Sequence, residues 1–124
     1  MQKRLVLMLA AAPLFEPAPP KVDCRALDAK ADSSGTIIPD TGSGRAVVGR
    51  RRVPVYSAPD VACPMTGVFV VRGDALYAQV EYGGFTRVAI VPVHGTDDND
   101  TIAWVRTSRL RPNGRGIVPG NHSF

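Results

Sequence analysis

Aromatic residues are scarce in this 124-residue chain: one tryptophan, three tyrosines and four phenylalanines make up 6% of it, so each carries unusual weight. Histidine and cysteine are rarer still, with two of each. His94 and His122 stand apart without ligand-type companions, and a metal centre is not expected. Apolar runs are short. The longest, Leu5 to Phe15, falls well below the ~20 residues that carry a helix across a bilayer, so no stable membrane insertion is expected. Charge of one sign is also modest. A net charge of +4 suits an acidic partner but falls short of a nucleic-acid footprint, and no nucleic acid is expected. No serine–histidine–carboxylate set, phosphate-cradling glycine loop or paired carboxylates can be assembled, so no catalytic residue, enzyme activity or cofactor is expected.

What is present points to one small folded domain. Hydrophobic residues at 44% and charged residues at 21% fit a globular chain, while twelve glycines and eleven prolines favour turns and short strands over long helices. Gln2-Lys3-Arg4 followed by Leu5 to Phe15 has the form of an export leader, assigned to 1–20, which places the chain in the periplasm or outside the cell. Pro13 and the stretch from Pro17 to Pro20 argue against a helix continuing into the domain.

Cys24 and Cys63 agree with export. An isolated pair in an oxidising compartment is best read as one disulfide. A nucleophilic Cys63 beside His94 would need a base and an orienting group, and neither is visible. Between the leader and the strands, the segment from Cys24 suits one or two helical turns at most, ended by Asp32, Ser33, Ser34 and Gly35. Thr36, Ile37 and Ile38 could add an edge strand before Pro39.

Strand–turn–strand patterning dominates from Arg45. Ala46–Val48, Arg52–Tyr56 and Gly67–Val71 are β-branched or apolar segments, the last stopped by a tight turn at Arg72-Gly73-Asp74. Leu76, Ala78, Val80 and Tyr82 alternate with Tyr77, Gln79 and Glu81, the period of a half-buried strand. Gly83-Gly84 signals a two-residue hairpin, Phe85 to Val93 returns, and His94 to Asp100 is a polar loop. Thr101–Arg106 is the next strand, and Thr107-Ser108-Arg109 a single tight turn before Leu110.

Four blocks, V-P-V-Y-S-A-P, G-V-F-V-V-R-G-D, Y-G-G-F-T-R-V and A-W-V-R-T-S-R-L, lie in order between Val53 and Leu110. In this order they resemble bacterial SH3 domains. That resemblance implies a mainly β fold, a small SH3-like barrel of about five to seven short strands with a short N-terminal extension. The division expected is an extension at 21–44, a barrel at 45–112 and a tail at 113–124. Phe85 stands where the family usually has tryptophan, Ala103 where it has glycine, and Tyr56 where it has arginine. The His94–Asp100 loop is longer and more acidic than the family's usual one.

On such a barrel Tyr56, Tyr82, Phe85 and Trp104 are candidates for a shallow aromatic groove holding a partner, although Trp104 and Phe85 also suit core and rim. Asp97, Asp98 and Asp100 lack the alternate spacing and late glutamate of a calcium loop, and form an acidic loop tip suited to partner contact. Arg50, Arg51 and Arg52, with Arg106, Arg109, Arg111 and Arg115, fit either a solvated face or a patch for an acidic surface. The function expected is a non-catalytic exported binding module. Its partner is a cell-envelope protein, a toxin or hydrolase that it inhibits; the alternative, favoured by the resemblance, is a peptidoglycan peptide.

Overall fold

The computed structural model describes residues 21–91 and 100–117. The expected leader, residues 92–99 (the end of the strand expected to reach Val93 and all of the His94–Asp100 loop but Asp100) and the last residues of the tail lie outside them. The mainly β class is what forms: β1 (Thr36–Ile37), β2 (Gly44–Val47), β3 (Val53–Tyr56), β4 (Pro64–Val70), β5 (Leu76–Tyr82), β6 (Phe85–Ile90), β7 (Thr101–Arg106) and β8 (Leu110–Pro112), with one helix, α1 (Cys24–Ser34). All pairings are antiparallel, in the order β4-β3-β7-β6-β5-β2-β8, with β1 joined to β5. The strands number eight rather than five to seven because the short pieces β1 and β8 also pair. The sheet stays open instead of closing into a barrel. Its outermost strand β4 starts at Pro64, which has no N–H to donate, and bends at Gly67 with φ 80°.

Turn chemistry sets the local connections. Gly83 and Gly84 both take positive φ, 57° and 83°, so a primed turn closes Tyr82 onto Phe85. In the next-earlier turn the Asp74 N–H donates to the Val71 carbonyl, and the Asp74 carboxylate accepts from the Val71 N–H at 2.8 Å. That leaves Arg72-Gly73-Asp74 as a self-capped tight turn, with Gly73 at φ 101°. Thr107–Arg109 forms a single 3-10 turn.

The alternation along β5 does not describe one face. Ala78 pairs with Val88, but Val80 pairs with Arg87, so Gln79 is an extra residue on its strand. A one-residue bulge sends the side chains beyond it to the other side of the sheet. Leu76 and Ala78 therefore join the main core with Val47, Val53, Val55, Val70, Val88, Ala103 and Val105. Val80 and Tyr82 instead join Tyr56, Phe85, Trp104 and Ala31 in a second cluster.

Helix α1 covers that second cluster. It runs eleven residues, longer than the one or two turns expected, and continues through Ser33 and Ser34 to Gly35. Asp23 caps it by accepting from the Ala26 N–H at 3.1 Å, and the Gly35 N–H closes it on the Ala31 carbonyl. An isolated helix of this length is marginal in water, and tertiary anchors supply the rest. Those anchors include Cys24 in its first turn and Ala31, fully buried against the sheet. No helix of the described residues is long and apolar enough to cross a membrane.

The expected extension is tied to both ends of the chain's fold. Ile38 N–H bonds the Gln79 carbonyl, while Gly44 N–H bonds the Arg115 carbonyl and Ile117 N–H the Asp40 carbonyl. Residues 21–44 and 113–117 thus brace one another across β2.

Candidate contact surfaces

The sequence candidates Tyr56, Phe85, Trp104 and Tyr82 do come together, because β3, β7, β6 and β5 lie side by side and turn these residues to one face. Tyr56 sits directly opposite Trp104, and its ring meets Phe85 edge-on with centroids 5.4 Å apart. They do not form an open groove. Trp104 is 1% exposed and Tyr56 and Phe85 are each 7% exposed, leaving only Tyr82 half-buried.

The cover is polar as well as apolar. The Trp104 Nε1–H donates to Asp28 Oδ1 at 2.7 Å. Arg87, also on this face, lies 3.6 Å from Asp28 and 3.7 Å from Asp32, carboxylates one helical turn apart. Its Nη1 donates to Gln79 Oε1 at 2.6 Å, while its Nε is buried without a hydrogen-bond partner. α1 therefore packs on the same face as these aromatics and bonds Trp104 directly, and Tyr56, Phe85 and Trp104 are all buried.

The disulfide holds that cover down. Cys24 and Cys63 are bonded, with Cα atoms 5.8 Å apart, joining the start of α1 to the loop after β3. This loop is shaped by Asp60: its carbonyl accepts the Cys63 N–H, and its carboxylate accepts the Ala62 N–H at 2.8 Å. The bridge marks an oxidising environment for the folded chain. Asp97 and Asp98 lie outside the described residues. Asp100 is exposed just before β7.

One exposed aromatic was not singled out in the sequence. Phe69, on β4, is 41% exposed and stands opposite the exposed Pro54. The Arg52 guanidinium stacks over its ring, 4.4 Å from the centroid, and Arg50 and Arg51 are exposed beside it. In the run Gly67–Val71 all apolar residues look alike; the alternation of buried Val70 with exposed Phe69 appears only once β4 pairs with β3. Among the described residues no group of three or more histidine, cysteine or acidic side chains is placed to hold a metal ion.

Comparisons with protein-family models, with curated proteins and with solved structures found no match.

Proposed function

We propose that this chain is an exported, non-catalytic binding module that docks on and blocks a protein partner in the periplasm, in the manner of an immunity protein or an inhibitor of a toxin or cell-wall enzyme. The observation that supports it is the Arg52–Phe69 stack on the outermost strand. An aromatic ring held in the open by a guanidinium is a pre-ordered contact, and arginine and aromatic side chains dominate the energetics of protein interfaces. Arg50 and Arg51 add positive charge that favours an acidic partner and speeds its approach. The free edge of β4 offers backbone groups to an extended segment. The leader-like residues Gln2 to Phe15 and the disulfide support export.

The alternative, a cell-wall peptide ligand, follows from the resemblance to bacterial SH3 domains. It would need a surface other than the aromatic face that α1 fills.

The oxidised protein and its Arg52→Glu variant, each confirmed folded, would be presented to periplasmic extract and to purified peptidoglycan. A stoichiometric complex with one protein, weakened at least about tenfold (~1.4 kcal/mol) by Arg52→Glu, is expected. Sedimentation with peptidoglycan and no protein complex would overturn the proposal in favour of the wall peptide.

A further inference from the structure

At the other end of the strand order, β2 and β5 meet the C-terminal residues around a cleft of about 290 Å³. Its polar lining is Arg45, Arg115, Asn113, Tyr77 and Asp74, and Leu76 belongs to its apolar wall.

Arg45 is the unusual member. It is only 9% exposed, yet neither ion pair among the described residues involves it, since both belong to Arg87. Its Nη1 donates to the Gly42 and Gly44 carbonyls at 2.8 and 2.9 Å, which fixes the guanidinium in place. A guanidinium carries five N–H donors, so these bonds leave its Nε and Nη2 donors free. Neither is among the sealed, unpartnered polar atoms of the described residues, where Arg87 Nε stands alone, and Arg45 is one of the residues that line the cleft.

The other polar groups complete a donor set. Asn113 Oδ1 is taken by the Arg115 N–H at 2.9 Å, which leaves the side-chain amide N–H groups to donate. Arg115 is exposed and adds a second guanidinium, and the Tyr77 hydroxyl can donate as well. Asp74 makes no ion pair with Arg45, since both ion pairs among the described residues belong to Arg87, and its Oδ2 accepts the Val71 N–H in its own turn. Two arginines and one aspartate give the lining a net charge of +1.

We propose that this cleft is a carboxylate-binding site, taking one planar carboxylate carried on a short aliphatic group. The fork of a fixed guanidinium matches a carboxylate in geometry, and an incoming anion offsets the cost of holding Arg45 away from water without a counter-charge. Ala46 and Ala75, which also line the cleft and are not buried, suit the aliphatic part. The group can come from the free end of a peptide chain or from a small free acid. The site is separate from the Arg52–Phe69 surface and stands whether or not that surface binds a protein.

The test is a titration of the isotopically labelled, oxidised full chain followed by amide chemical shifts. The probes are N-acetylvaline, N-acetylvalinamide, propionate and inorganic phosphate. N-acetylvaline is expected to shift the amides of Arg45, Leu76 and Tyr77 with a Kd of about 1 mM or below, and the neutral amide to leave them unmoved. Arg115→Gln, at an exposed position, is expected to keep the fold and to weaken binding roughly fivefold or more. Arg45→Lys, if it folds, is expected to weaken it further. Propionate matching N-acetylvaline would support the site and assign it to free acids; weaker propionate binding would support it and assign it to chain ends. Equal shifts with the amide, tighter binding of phosphate, or no shift at about 10 mM N-acetylvaline would overturn the proposal.

Discussion

The indole N–H of Trp104 donates to Asp28 across 76 residues of sequence, at 2.7 Å, and so joins the middle of α1 to the middle of β7. Trp104 is the chain's single tryptophan and is 1% exposed, so its emission reports directly on whether α1 is seated.

Asp28→Ala removes the acceptor and leaves the indole N–H without a partner, at an expected cost of about 1–3 kcal/mol. Asp28→Asn keeps an oxygen for Trp104 and loses only the half-exposed attraction to Arg87, so its cost should stay under about 1 kcal/mol. Urea unfolding followed by tryptophan emission separates the two. Equal losses would mean that the charge, not the hydrogen bond, holds the helix.

The Cys24–Cys63 bridge closes a loop with a sequence separation of 39 residues. On the chain-entropy account its loss costs about 4 kcal/mol, a large share of a small domain's ~5–15 kcal/mol. The Cys24→Ser/Cys63→Ser protein should therefore unfold at a much lower urea concentration, with a red-shifted tryptophan emission as α1 lifts. Thiol counting on the native protein should find no free thiol; two would rule the bridge out.

Gly35 is fixed by space, not by backbone conformation, since its φ of −76° suits any residue. A Cβ there would run into the Val80 side chain and lie 2.6 Å from the Glu81 carbonyl oxygen and 2.8 Å from that of Ala31. Gly35→Ala should cost about 1–3 kcal/mol by pushing α1 off the sheet. Gly42→Ala, where a Cβ meets nothing within 4 Å, should change stability by less than about 0.5 kcal/mol. Thermal unfolding of the pair provides the check.

Thr86 and Thr107 share a hydroxyl–hydroxyl bond of 2.9 Å that joins β6 to the 3-10 turn, and Thr86 is 1% exposed. Thr86→Val should cost about 1 kcal/mol, because it strands the Thr107 hydroxyl. Removing both hydroxyls should cost less than the sum of the single changes, by roughly 0.5 kcal/mol or more in a double-mutant cycle. Strict additivity would show that the bond contributes nothing.

Features with short-range causes were legible from the residues. Two glycines in succession supply the positive φ values of the Gly83-Gly84 hairpin, and Asp74 completes its turn within three residues. The cysteine pair needed only the argument that two thiols in an oxidising compartment find each other. The length of α1 was less legible, because its own residues bury little and its anchors lie in the loop after β3 and on β6 and β7. Tyr56, Tyr82, Phe85 and Trp104 share one face, but the sequence carries no sign of what lies over them.

Local chemistry alone therefore accounts for the mainly β class, the turns, the alternating strands and the pairing of Cys24 with Cys63. Which side of the sheet each residue faces, and whether that side meets water, was settled by contacts distant in sequence. Gln79 bulges out of β5 and sends Val80 and Tyr82 to the second face. α1 then packs on that face, where Ala31 joins the cluster of Tyr56, Phe85 and Trp104, while Phe69 is left in the open at the edge. A period of two tells which residues share a side, but burial depends on what packs against that side. For this chain the decisive packing comes from a helix 76 residues away from the tryptophan it covers.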